Sequence, residues 1–255
     1  MKKELEAFER VLNILNELRV KCPWDRKQTM ESLRNLTVEE TYELADAIIK
    51  KDMPELKKEL GDLFLHVVFY AKIADEHGEF DITDVMNSLC DKLISRHPHV
   101  FGDTSVKDHK EVEENWEQIK MKEGYKSILS GVPKSLPSMV KANRIQQKVR
   151  GVGFDWDQKE QIWDKVREEL GELEDEVKNR DNDKIESEFG DLLFSVINAA
   201  RLYDIDPETA LEKTNHKFIK RFKYLEENTL NKGIQLKNMT LDEMNVIWEE
   251  AKKED

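Results

Sequence analysis

Five carboxylates recur twice in one register. Glu168, Glu169 and Glu172, followed by Glu188 and Asp191, repeat the spacing of Glu39, Glu40, Glu43, Glu59 and Asp62 at a constant offset of 129 residues. On a helix, positions i, i+3 and i+4 share a face, so each EExxE and each ExxD aligns its acids. The polar stretch Lys178-Asn-Arg-Asp-Asn-Asp183 lies between the two motifs of the second half, and it predicts a break that folds their helices into an antiparallel hairpin. Five carboxylates then meet in one place. Like charges at this spacing repel by a few tenths of a kcal/mol per exposed pair, and burial adds to this by raising carboxylate pKa values. A cation must compensate. Carboxylate oxygens without Cys or His suit a hard ion, Mg2+ with Mn2+ as a substitute, ahead of zinc. A di-iron bundle would place Glu-x-x-His on its helices. Here Asp62 or Asp191 stands at that position, and the nearby His66 becomes Ser195 in the second half.

An acidic helical face is usually just solvated. Such a face accepts Lys, Gln or Ser at any position, so it gives two diverged halves no reason to keep five acids in register. The neighbouring cations extend the reading. Lys165 lies one turn before Glu168 and Glu169, Lys217 and Arg221 share a face, and Lys252 follows Trp248 at the same spacing. Ammonium and guanidinium groups beside a carboxylate-held Mg2+ are equipment for gripping a polyphosphate, although each alone is equally well a surface cation. Trp248 and Trp156 could stack on a base, though a lone Trp more often belongs to a core. His97-Pro98-His99 has no counterpart in the second half and reads as a loop feature.

The elements that must carry these groups are helices. Leu5, Phe8, Val11, Leu12, Leu15 and Leu18 follow helical periodicity, as do Ile162, Val166, Leu170, Leu173 and Val177. Asp206-Pro207-Glu208 and Thr240-Leu-Asp-Glu243 read as helix starts. Ten Gly and six Pro among 255 residues, with 37% charged residues, exclude an all-β fold. The stretch from Gly124 through Gly131, Pro133 and Pro137 is the one Pro/Gly-rich connection, so the expected organisation is a domain over 1–123, a linker over 124–136 and a domain over 137–255. Further matches flank the acids: Trp24-Asp25-x-Lys27 with Trp156-Asp157-x-Lys159, Lys92-Leu-Ile-x-Arg96 with Lys217-Phe-Ile-x-Arg221, and Trp116-x-x-x-Lys120 with Trp248-x-x-x-Lys252. The fold class is therefore all-α, a tandem repeat of two helical-hairpin bundles.

A formal charge of −13 argues against nucleic acid as the main partner. No h-region follows Lys2 and Lys3, and runs such as Val67-Val68-Phe69-Tyr70-Ala71 are far shorter than the ~20 residues that cross a bilayer. A cytoplasmic, membrane-free protein is expected, with Cys22 and Cys90 as reduced thiols.

These motifs carry a resemblance. EExxE, a 15-residue gap and ExxD, with Cys22-Pro-Trp-Asp25 and Lys92-Leu-Ile-x-Arg96-His-Pro-His-Val-Phe101 in one half and Val152-Gly-Phe-Asp-Trp156 in the other, resemble the two-domain bacterial MazG nucleoside triphosphate pyrophosphohydrolases over essentially the whole chain. The resemblance implies an all-α homodimer that uses Mg2+ to hydrolyse standard and non-standard nucleoside triphosphates, dNTPs included, to monophosphate and pyrophosphate. Nucleotide-pool cleaning or stringent-response control is its implied setting. It also implies that the second domain is the active one. The asymmetries agree: Lys165 becomes Leu36 and Asn198 becomes Phe69 in the first copy. On this reading Glu169, Glu172, Glu188 and Asp191 hold the metal. Glu168 is a further ligand or the base that orients water at the substrate. Lys165, Lys217, Arg221 and Lys252 grip phosphates, with Asn198 as a polar contact and Trp248 or Trp156 near the base. Glu39, Glu40, Glu43, Glu59 and Asp62 form a second cluster in a domain serving assembly or regulation. A narrow-specificity enzyme for dUTP or phosphoribosyl-ATP, and a nonenzymatic acidic adaptor, are the alternatives.

Overall fold

The computed structural model of the chain describes residues 1–108, 111–112, 115, 119, 127–231 and 233–254. Among them all regular structure is helical. The chain divides into two compact units, Met1–Val106 and Lys107–Asp255.

In the first unit, α1 (Lys2–Lys21) leads through a 3-10 turn at Asp25–Lys27 to α2 (Met30–Lys50), α3 (Met53–Glu76), α4 (Ile82–Arg96) and the single turn α5 (Pro98–Phe101). Thr29 caps α2 in a capping box with Ser32, and the Asp52 side chain caps α3 by accepting from the Glu55 N–H. The α2–α3 hairpin is the scaffold, and α1 and α4 pack on α3. Its core is Leu15, Leu33, Val68, Phe69 and Ile73, with Phe8, Val11, Leu12 and Leu36 packed against it. Leu5 and Leu18, at the ends of the predicted α1 stripe, are exposed. His97-Pro98-His99 reads in the sequence as a loop feature, whereas Pro98 and His99 belong to a short helix. Pro98 sits in the first turn of α5 with His97 as its N-cap, and the Leu93 carbonyl lies 2.6 Å from His97 Nδ1.

The second unit repeats this plan. Its helices over the described residues from 127 onward are α6 (Ser138–Arg150), α7 (Ile162–Asn179), α8 (Asn182–Leu202), α9 (Pro207–Leu230) and α10 (Leu241–Ala251). The α7–α8 hairpin corresponds to α2–α3, α6 and α9 pack on α8, and α10 packs on α9. Of the expected 124–136 connection, residues 124–126 lie outside the described residues. Ile128–Gly131 is a 3-10 turn packed on α6, and the division between units falls earlier in the chain. The helix starts at Asp206 and Thr240 form as the sequence indicates, each with its side chain accepting an N–H three residues on.

The two hairpins turn in the same way. Lys51 (φ 56°) and Arg180 (φ 59°), 129 residues apart, are both left-handed, and Asp52 and Asp181 follow as N-caps. A left-handed non-glycine residue is costly, so its recurrence at one repeat position shows a shared two-residue connection. The break is tighter than the polar stretch 178–183 suggests, because its side-chain cap at Asp181 lets α8 restart at Asn182. One difference in length also has a local cause. α4 stops at Arg96 because the residue before Pro98 is pushed out of the helical region, whereas α9 meets no proline and continues to Leu230.

Candidate active site

The hairpin turn fixes which acids meet. Glu169 and Glu172 on α7 and Glu188 on α8 each offer a carboxylate oxygen, all within 4.8 Å of one another. Glu40, Glu43 and Glu59 repeat the arrangement in the first unit within the same distance. Glu169 is buried, Glu188 half-buried and Glu172 exposed, so the cluster opens to solvent on one side. In the first unit Glu59 is 0% exposed and its Oε2 is buried with no hydrogen-bond partner. A buried carboxylate oxygen without a partner is costly. Three converging carboxylates with that unanswered oxygen fit a hard divalent cation.

Each cluster already carries one lysine, taken from a different helix. Lys165 Nζ lies 2.9 Å from Glu168 Oε1 and 2.8 Å from Glu169 Oε1. Lys58 Nζ lies 2.9 Å from Glu55 Oε1 and 2.7 Å from Glu59 Oε1. The repeat equivalents of these lysines are Leu36 and Ser187. Both ammonium groups are held above their ordinary range, first by the hydrogen bonds to Glu169 and to Glu59. Desolvation, then the charges of Glu169, Glu188 and Glu168, push the Glu172 carboxyl up, while Lys165 opposes them. Glu40 is raised in the same way by desolvation and then by Glu59, while the hydrogen bond from Lys58 draws Glu59 down.

The convergent set is three acids per copy, where the spacing suggested five. Glu168 is exposed and engaged with Lys165, and Asp191 is exposed one turn past Glu188. In the first copy Glu39 is exposed. Asp62 stands outside the set of three, although its charge contributes to raising Glu40. A helical face spreads i, i+1 and i+4 over too wide an arc for all of them to reach one point.

The remaining candidates lie on α9 and α10. Trp248 packs 5.0 Å from Phe218, and the Arg221 guanidinium sits 5.9 Å from the Trp248 ring centroid. Lys252 pairs with Glu249 at 2.5 Å, and Lys217 is exposed on α9. Trp156 is partly exposed in the turn before α7. Trp116 and Lys120 lie outside the described residues. Asn198 is half-buried on α8, and its Oδ1 accepts from Arg201 at 3.0 and 2.8 Å. Arg201 and its partner Asp155 were not among the sequence candidates. Asp155 lies inside the Val152–Trp156 motif, which is the one signal that pointed to it.

The raised Glu172 carboxyl gives a stability test. A folded-state pKa above the unfolded one means that the charged cluster opposes folding at neutral pH, and that opposition disappears as pH falls through the raised value. Glu172→Gln therefore raises the melting temperature of metal-free protein at pH 7, and the gain shrinks in acid. The same variant loses most of the further rise that Mg2+ gives the wild type by binding the folded state. Thermal melts with EDTA and with Mg2+ check both directions.

Comparison with known proteins agrees with this geometry. The MazG nucleotide pyrophosphohydrolase domain matches residues 28–101 and again 157–225, each span containing one acid-lined hairpin. A nucleoside triphosphate pyrophosphohydrolase of Escherichia coli (strain K12) is 40% identical over 260 residues, covering 98% of this chain and 99% of that protein. A nucleoside triphosphate pyrophosphohydrolase/pyrophosphatase MazG of Thermotoga maritima is 43% identical over 257 residues, covering 99% and 98%. An uncharacterised Bacillus subtilis protein is 43% identical over 252 residues, which are 96% of this chain and 52% of that longer one. With the domain present twice and the alignment running nearly end to end, the chain belongs to the MazG nucleotide pyrophosphohydrolase family.

Proposed function

We propose that the second copy hydrolyses nucleoside triphosphates, ribo and deoxy, to nucleoside monophosphate and pyrophosphate with Mg2+, Mn2+ serving as a substitute, and so clears nucleotide pools in the cytoplasm. The observation that carries this reading is the meeting of the buried Glu169, the half-buried Glu188 and the exposed Glu172 within 4.8 Å. These three would hold the ion, with Asp191 one turn further along α8 as an additional ligand. Bound Mg2+ supplies charge neutralisation on the triphosphate oxygens, a more acidic water and stabilisation of the leaving pyrophosphate. Glu168, which accepts a hydrogen bond from Lys165, would serve as a further ligand or orient the attacking water. Lys217, Arg221 and Lys252 supply cations for phosphate oxygens, and Trp248 or Trp156 an aromatic face for the base. Among the described residues no helix is long and apolar enough to cross a membrane.

The first copy serves assembly or regulation, and both copies carry a surface for association. Leu60, Phe64 and Val67 on α3, and Phe189, Leu193 and Val196 on α8, are exposed at positions related by the same 129-residue offset. Large exposed apolar stripes mark association surfaces, and a homodimer is the simplest closed arrangement that covers them. Sedimentation equilibrium at twice the chain mass supports it, and a monomer at micromolar concentration overturns it.

A nucleotide panel with product identification tests the activity. Monophosphate and pyrophosphate in equal amounts, abolished by EDTA, are expected. Orthophosphate as the first product, or no product from any nucleotide, sinks the reading. Turnover confined to dUTP or phosphoribosyl-ATP replaces it with the narrow enzyme.

A further inference from the structure

The second copy contains a buried polar network that the first copy lacks. Arg201 on α8 has a side chain only 6% exposed. Its Nη1 donates to Asp155 Oδ2 at 3.1 Å, and its Nη2 donates to Asp155 Oδ1 in a second, shorter contact. Its Nε and Nη2 also donate to Asn198 Oδ1 at 3.0 and 2.8 Å. Asp155 belongs to the turn before α7, where Gly153 is left-handed (φ 84°) and the Phe154 N–H returns to the Val149 carbonyl at 3.0 Å. Burial pushes the Asp155 carboxyl up, and the pairing with Arg201 outweighs this and holds it below the ordinary range.

Guanidinium has donors only, so the Asn198 atom facing it must be the carbonyl oxygen. The Asn198 amide nitrogen is thereby turned away from Arg201. Asn198 lies seven residues past Asp191, nearly the same helical azimuth, and on the order of 10 Å further along α8. A nucleoside triphosphate held by its phosphates at the acids is long enough to bring its nucleoside end to that position. In the first copy the acids persist, but Asn198 is replaced by Phe69, Arg201 by Lys72 and Asp155 by Pro23. Lys72 there pairs with Asp75 at 2.9 Å on its own helix. Three linked positions have changed together while the carboxylates have not, which separates the network from the metal cluster.

We propose that Arg201 is a positioning residue: by holding the Asn198 carbonyl and the Asp155 carboxylate, it presents the Asn198 amide as a fixed donor to an acceptor on the nucleoside end of the substrate. This rests on the nucleoside triphosphate reading. Asn198→Asp separates a structural role from a binding one. The aspartate keeps an acceptor toward Arg201 but replaces the N–H donor with a second oxygen.

In the full-length chain, Asn198→Asp is expected to keep the wild-type melting temperature and to raise KM about tenfold or more, with the smaller part of the loss in kcat. Arg201→Lys, whose single ammonium cannot hold both partners, raises KM and lowers the melting temperature. A KM penalty common to all nucleotides assigns the acceptor to the sugar, and one confined to certain bases assigns it to the base. Wild-type KM in Asn198→Asp overturns the proposal. A variant-independent measurement uses the side-chain amide resonance of Asn198 in wild-type protein titrated with an α,β-methylene nucleoside triphosphate and Mg2+. It must shift on binding. Binding that leaves this resonance unmoved removes the proposal alone, whereas no binding of the analogue removes the nucleotide reading and the proposal together.

Discussion

Glu172→Ala and Asp191→Ala each lower Mg2+-dependent pyrophosphate release by about 10³-fold or more while the circular dichroism spectrum stays helical. Removing a metal ligand takes away several kcal/mol of transition-state charge stabilisation, and every ~1.4 kcal/mol is a factor of ten in rate. Neither substitution should unfold the protein, because both side chains are exposed and Ala is the better helix former. The same changes in the first copy, Glu43→Ala and Asp62→Ala, leave release within about threefold of wild type, a difference of well under 1 kcal/mol. The contrast is the substance of the prediction, since the two clusters have equal geometry at the 4.8 Å level. What differs lies around them. In the second copy the cation comes from α7 and Asn198 lines the adjacent stripe, whereas in the first copy Lys58 engages Glu59 and Phe69 occupies that stripe. If the first-copy variants are silent and the second-copy variants active, the assignment of the working copy is reversed. If all four are active, the acids are not metal ligands in catalysis.

Much of this organisation was legible in the sequence, and the reasons are local. EExxE and ExxD share helical faces because of the 3.6-residue period, and a left-handed residue followed by an Asp cap folds each pair together. Such features depend on neighbours a few residues apart. The parts that were not legible depend on partners distant in the chain. Arg201 and Asp155 are 46 residues apart, and nothing in either one's neighbourhood specifies the pairing. The number of acids that converge is set by where α7 and α8 cross, and spacing along one helix does not contain that. The apolar stripes misled in the same way. Leu170 and Val177 fit the periodicity of α7 but are exposed, because its apolar face is wider than the contact with α8. A stripe shows which residues seek cover without showing what covers them.

Position 69 is where the two copies part most sharply, and it carries the second large prediction. Phe69 is 1% exposed and packs with Leu15, Leu33, Val68 and Ile73. The Arg19 guanidinium lies 5.4 Å from its ring centroid. Arg19 in turn donates to the Asp25 carbonyl at 2.5 Å and the Gln28 carbonyl at 3.3 Å, and it pairs with Glu76. Thus Phe69 supports both the core of the first unit and the arginine that ties down its 22–28 turn. Phe69→Ala should cost about 3–5 kcal/mol, the range for deleting a buried aromatic ring. Set against a total stability of roughly 5–15 kcal/mol, that is enough to shift the denaturant midpoint of the first unit markedly. Leu60→Ala, on the exposed side of the same helix, should cost far less in a monomeric measurement, within about 1 kcal/mol. Phe69→Asn, which installs the residue of the second copy, should be no milder than Ala. No arginine stands where Arg201 does, Lys72 is committed to Asp75, and the amide would enter an apolar core without a partner. Equal midpoints for Phe69→Ala and wild type would show that the α1–α3 packing does not hold the first unit together. A large loss for Phe69→Ala and a small one for Phe69→Asn would show that the first copy retains room for the polar network its sequence has given up.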